Sequence, residues 1–189
     1  MTSARTFSLV ALATVLSGWL GGAALERAAV GMRVWQTLGA ESWVDFSHGA
    51  VFGTGLTIEA VIGVAAAALM FAAAVSATFD RSSDRATPIS LIIAIVFSLL
   101  GLLFTAKAMN LVQLLAASQS PADLQPIFDD YLIWGVDFRA AADAVAFVAV
   151  VWAFLGLRAA AAPEKFEAAP PAFGDEVPSA TSLARPGAN

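Results

Sequence analysis

Three stretches of this chain run eighteen residues or more without a charge. Residues 6–25 and 60–79 give twenty each, and residues 89–106 give eighteen. A helix needs about 20 apolar residues to cross the hydrocarbon core of a bilayer. Backbone polar groups in lipid must be satisfied within the segment, so such runs are read as spanning helices. A fourth run, residues 144–157, has only fourteen uncharged residues. Extending it back to Val136 gives a full span that carries Asp137, Arg139 and Asp143. Charges inside a bundle are tolerated where they face protein and find partners, so this segment is taken as the fourth span. The expectation is an all-α, four-transmembrane-helix bundle over residues 1–158, with helices near 6–25, 55–79, 89–117 and 136–158.

Composition agrees. Apolar residues make up 59% of the chain and charged residues 13%, against about 25% charged in a typical soluble domain. Mean hydropathy is +0.76. The net charge of −5 offers no basic patch for nucleic acid. There is no cysteine and one histidine, His48. That removes thiolate chemistry, disulfides and bis-His haem, and no metal set or cofactor motif stands out. From about residue 159 to Asn189 the chain turns Ala- and Pro-rich, the composition of a disordered tail.

A short N-terminal arginine region, the apolar stretch and small residues at Gly22 and Ala24 allow a signal peptide, but the run is longer than the usual signal core, so a retained helix is expected. Basic residues set orientation. Arg5, Arg81, Arg85, Arg158 and Lys165 fall on one side, and only Arg27 and Arg33 on the other. Both termini are therefore expected on the cytoplasmic side of a cell membrane. In the first outer loop Val30, Val34, Trp35 and Leu38 recur at helical spacing, as in an interfacial helix ending at Gly39. Residues 41–55 are expected to lead into helix 2 with bends at Gly49, Gly53 and Gly55. Ser120-Pro121-Ala122-Asp123 reads as a helix start. Trp35, Trp43 and Trp134 are expected as interfacial anchors. Gly18 and Gly22, spaced as Gly-x-x-x-Gly, hint at close helix packing, more often within a chain than between chains.

This topology gathers the intramembrane charges in one leaflet. Glu59 opens helix 2, Lys107 and Asn110 close helix 3, and Arg139 and Asp143 open helix 4. Glu59, Lys107, Arg139 and Asp143 sum to zero charge. One charge at mid-helix costs about 2.5–3.5 kcal/mol on insertion scales. Pairing across helices is the expected escape, with Glu59 meeting Lys107 or Arg139, and Asp143 meeting Arg139. Two readings follow. The pairs lock the bundle as structural glue, or they line a polar pocket near the outer leaflet, capped by His48 and Asp45. His48 is the one side chain expected to titrate near neutrality.

The stretch Trp35-Gln36-Thr37-Leu38-Gly39-Ala40-Glu41-Ser42-Trp43, then Ser47-His48 and Gly53-Thr54-Gly55-Leu56, resembles the first loop and second helix of small four-helix bacterial membrane proteins. Thr105-Ala106-Lys107-Ala108-Met109-Asn110, with Trp134 and Arg139, resembles their third and fourth helices. Over about residues 7–158 the chain is similar to the anthrone-oxygenase-like superfamily, whose members mostly have no established function. That pattern has an Asn near the end of helix 3, a Trp in the following loop and an Arg starting helix 4, matched here by Asn110, Trp134 and Arg139. The resemblance implies a cofactor-independent oxygenase of a phenolic or anthrone-like substrate. Its base would be His48 or Glu59, its oxyanion partners Arg139 and Lys107, and its orienting donor Asn110.

The leading expectation is a membrane protein whose polar intramembrane site binds a small hydrophobic or aromatic molecule, or which serves as an accessory subunit to a membrane protein partner. Its expected site residues are His48, Glu59 and Arg139 for chemistry, and Lys107, Asn110, Trp134 and Asp143 for the ligand. The oxygenase is the first alternative. A proton-coupled carrier built on Glu59 is the second, without the repeats and broken helices often seen in transporters.

Overall fold

The computed structural model describes residues 4–50, 56–79, 86–118 and 120–161. Of the tail expected from about residue 159, residues 159–161 continue the last helix; the rest, and the expected bends at Gly53 and Gly55, lie outside the described residues. Every described residue except Gly39, Ser118 and Ser120 is helical. The first helix, α1 (Ala4–Glu26), passes through a π-helical segment (Arg27–Gly31) into α2 (Met32–Leu38). Then come α3 (Ala40–Ala50), α4 (Leu56–Phe79), α5 (Ala86–Ala117) and α6 (Pro121–Tyr131). A second π-helical segment (Leu132–Phe138) joins α6 to the last helix, α7 (Arg139–Ala161).

Four helical stretches are long and apolar enough to cross a membrane: Ala4–Leu38, Thr57–Phe79, Ala86–Ala117 and Ala122–Ala160. The first and last hold 35 and 39 residues. At about 1.5 Å per residue both exceed 50 Å, well beyond the roughly 30 Å of hydrocarbon. The surplus length builds a cap on one end of the bundle. The segment after the first apolar run is helical up to Gly39, but it continues α1 instead of forming a separate helix. Gly39 stops it with φ +90°, while its amide donates to the Trp35 carbonyl at 3.0 Å. Only glycine accepts that backbone without strain. The reversal sends α3 across the cap. Ser120 precedes α6 with an extended backbone, and Pro121 takes the first helical position, where a missing N–H costs nothing.

In the bundle α1 packs on α4 and α7, and α5 packs on the same two. At the end of the bundle away from the cap, Phe7 of α1 pairs with Phe154 of α7 at 5.2 Å, and the hydroxyls of Thr6 and Ser76 of α4 hydrogen-bond at 2.7 Å. Small side chains turn inward and large ones outward. Ala13, Ala66, Ala73, Ala94 and Ala153 are buried, while Leu12, Val15, Phe71, Leu103 and Trp152 are exposed. Without a hydrophobic drive between helices in lipid, close packing through small residues holds such a bundle. Gly18 and Gly21 lie against Phe147 of α7, whereas Gly22 faces open space. Of the Gly-x-x-x-Gly pair, Gly18 therefore marks an intramolecular contact and Gly22 does not.

Two apolar cores result. The bundle core centres on Val10, Met70, Leu91, Val150 and Leu157. The cap core centres on Met32, Trp43, Leu115, Phe128 and Tyr131. Trp43 is 2% exposed, with its ring 5.4 Å from Phe128 and 4.8 Å from Tyr131. It is thus a core residue of the cap and not an interfacial anchor, because α3 folds it inward onto α6.

Candidate functional site: an ion layer between two apolar cores

The charged residues lie between these two cores. Glu59, in the first turn of α4, is the centre. Arg27, the first residue of the first π segment, grips it with both terminal nitrogens. Nη1 donates to Oε2 at 3.2 Å, and Nη2 pairs with Oε1. Arg139, where the second π segment gives way to α7, approaches from the other side, its Nη2 3.0 Å from Oε2. One turn on, Asp143 Oδ2 lies 3.7 Å from Arg139 Nε. Two guanidiniums and two carboxylates give a layer of zero formal charge. Arg139 is buried, and Arg27 is the more open of the two cations. Arginine suits this place because its planar fork meets carboxylates at two points. π segments are uncommon and recur at functional sites; here each of the two arginines stands at one end of such a segment.

Asp143 reaches across to α5. A Cβ placed on Gly101 would lie 2.6 Å from Asp143 Oδ1. The carboxylate therefore occupies space that only a glycine leaves open. Beside it all four bundle helices enclose a small cavity of about 20 Å³, room for roughly one water molecule. Its polar lining comes from Ser17, Glu59, Ser98, Thr105, Arg139 and Asp143. Ser98 donates to Met70 Sδ at 3.5 Å, and Thr105 donates to the Gly101 carbonyl at 2.8 Å. Ser17 is 4% exposed, and its hydroxyl has no hydrogen-bond partner. A buried polar group without a partner costs about 1–3 kcal/mol. The cavity thus holds an unmet hydroxyl next to an ionic layer.

Of the residues singled out from sequence, Glu59, Arg139 and Asp143 meet as expected. Lys107 does not join them. Its ammonium lies 3.6 Å from the Trp134 ring centroid, on the outside of the bundle. The inward positions of α5 are Gly101, Thr105, Ala108 and Val112. Lys107 follows Thr105 by two residues, about 200° around the helix, and so faces away. Asn110 is exposed for the same reason. Trp134 is half-buried and sits with Phe104 and Phe138, at 6.0 and 5.0 Å. Asp137 pairs with Arg33 at 3.1 Å, both exposed, outside the layer. The His48 side chain lies outside the described residues; its backbone belongs to α3. Asp45 is exposed.

Sequence reasoning passed over Arg27, Ser17, Ser98 and Thr105. Arg27 was counted as a loop charge, because the apolar run ends at Leu25 and a π segment is not visible in hydropathy. The hydroxyls were absorbed into apolar runs. Gly101 and Thr105, four apart on the face that continues to Ala108, were the available signal. Among the described residues no group of three or more His, Cys, Asp or Glu is placed to hold a metal ion.

The fold and the layer define a class: an α-helical, membrane-embedded protein with a charge-neutral ion layer between a four-helix core and a helical cap. Compared with protein-family models, with curated proteins and with solved structures, the chain shows no match.

Proposed function

We propose that this is a multi-pass cell-membrane protein that binds a small lipid-soluble molecule through one hydroxyl-sized head group at the ion layer. The observation that carries the reading is the Ser17 hydroxyl, buried without a partner in the wall of a cavity that also contains Asp143. The protons of Ser98 and Thr105 are already donated elsewhere. Their lone pairs and the Asp143 carboxylate make the cavity rich in acceptors. A neutral donor suits it, since the layer is already charge-balanced. A ligand hydroxyl would donate to Asp143 and accept from Ser17. The cavity admits only that head, so the apolar body would extend toward Leu20 and Leu102, the large apolar side chains of its lining. With the termini cytoplasmic, as the basic residues suggest, the site lies in the outer leaflet.

Native mass spectrometry of the protein in mild detergent tests this. The expected result is a retained low-mass, hydroxyl-bearing ligand, with retention weakened about fivefold or more by Ser17→Ala, the effect of one lost hydrogen bond. No retained small molecule would leave the cavity as a water site and overturn the reading. A retained membrane protein instead would support the accessory-subunit role.

A second reading, the cofactor-independent oxygenase, draws on the same cavity. Asp143 or Glu59 stands beside Arg139, so a carboxylate for proton removal and a guanidinium for the resulting anion share one wall. Glu59 already holds two arginines, which leaves Asp143 the freer acceptor. Three-ring substrates exceed the present cavity, so turnover would require the helices to part at Leu102. Oxygen uptake with anthrone or phenol substrates, lost in Arg139→Ala, would favour this reading over simple binding.

A further inference from the structure

Lys107, Asn110 and Trp134 form a separate face on the outside of the bundle, away from the cavity. The apolar run of α5, residues 89–106, is about 27 Å long at 1.5 Å per residue, close to the thickness of the hydrocarbon core. Lys107 comes next, the first charge after a run of that length. Among the described residues no carboxylate lies within ion-pairing distance of its ammonium. Among the described residues the other cations at this end are each paired: Arg27 with Glu59, Arg139 with Glu59 and Asp143, and Arg33 with Asp137. Among the described residues Lys107 is the cation of this end without a carboxylate partner. Its ammonium is held over the Trp134 ring, and Phe104 and Phe138 extend that aromatic surface, with ring centroids 6.0 Å apart. Phe138 and Leu103 are exposed beside it. Asn110 follows one turn further along the exposed face of α5.

We infer that Lys107, set over Trp134 beside Phe104 and Phe138, docks the phosphate of an anionic phospholipid from the surrounding leaflet. The ammonium takes the phosphate, Asn110 offers a hydrogen bond beyond it, and the aromatic surface takes the glycerol and upper acyl chain. The geometry favours a membrane lipid over a free anion, because the apolar contact surface adjoins the cation. The acidic residues of the cap, Glu41 and Asp45 on α3 and Asp123, Asp129 and Asp130 on α6, repel anions elsewhere at this end and leave Lys107 as the point of attachment. The inference is independent of the cavity ligand, since Lys107 lies on the opposite side of α5 from Thr105.

Native mass spectrometry with added dioleoylphosphatidylglycerol or dioleoylphosphatidylcholine tests it. The wild-type protein should retain the glycerol lipid in preference to the choline lipid. Lys107→Gln should reduce phosphatidylglycerol retention about fivefold, the effect of one lysine facing anionic lipid, and leave phosphatidylcholine retention unchanged. Lys107→Arg should restore the preference. Arg158→Gln, at the opposite end of the bundle, should leave it intact. Equal retention of the two lipids by the wild type, an unchanged preference in Lys107→Gln, or an equal loss in Arg158→Gln would each overturn the inference.

Discussion

The carboxylate of Asp143 rests against the backbone of Gly101, so near that a methyl group there would come within 2.6 Å of Oδ1. One missing side chain on α5 thus allows one charged side chain on α7. Asp143 is the least firmly paired member of the layer, 3.7 Å from Arg139. Gly101→Ala must move it, and the cheapest movement is a rotation of Asp143 out of the layer. The expected cost is about 1–3 kcal/mol, typical of overpacking a filled interior. Gly22→Ala is the control, because nothing lies within 4 Å of the added methyl. That change should be neutral or stabilise by up to about 1 kcal/mol through helix propensity. Thermal melts of the two variants in one detergent measure the contrast.

The two arginines should not be equal. Arg139 is 7% exposed at its side chain and Arg27 is 33% exposed. Removing one partner from a buried ion pair costs about 3–5 kcal/mol, because the remaining charge is left without compensation. Glu59→Gln should approach that cost, since it leaves two guanidiniums facing each other. Arg139→Gln should cost more than Arg27→Gln, whose loss solvent partly offsets. A double-mutant cycle between Glu59 and each arginine would separate the pair terms from the general cost. Equal coupling for the two pairs would show that solvent reaches both sides of the layer alike.

Much of this arrangement was legible in the chain. Run lengths located the four spans, and the polar defects in helix 4 pointed to Arg139 and Asp143. The start of α6 at Ser120-Pro121 and the stop at Gly39 followed from local backbone chemistry. What was hidden depended on direction. Lys107 and Thr105 are two residues apart, yet one faces outward and the other inward, and only the small-residue periodicity of α5 tells them apart. Arg27 was hidden because hydropathy ends a helix where the charge begins. Here the helix runs on through a π segment and turns that charge onto Glu59. Trp43 was hidden because its burial depends on α3 meeting α6, a contact between segments that are far apart in the chain.

Gly39 offers the sharpest test of the cap. Its φ of +90° and ψ of 164° fall in a region essentially closed to residues with a Cβ. No atom lies within 4 Å of where a Cβ would stand, so a substitution meets backbone strain and no clash. Gly39→Ala should therefore destabilise by about 1–3 kcal/mol, the usual cost of such a conformation. The loss should fall on the cap, because Gly39 sets the turn that brings Trp43 against Phe128 and Tyr131. Near-ultraviolet circular dichroism reports that aromatic packing, and far-ultraviolet dichroism reports the helices. The expected pattern is a weakened aromatic signal at a temperature where helix content is still full. Simultaneous loss of both signals would mean that cap and bundle unfold as one unit, with the ion layer coupling them.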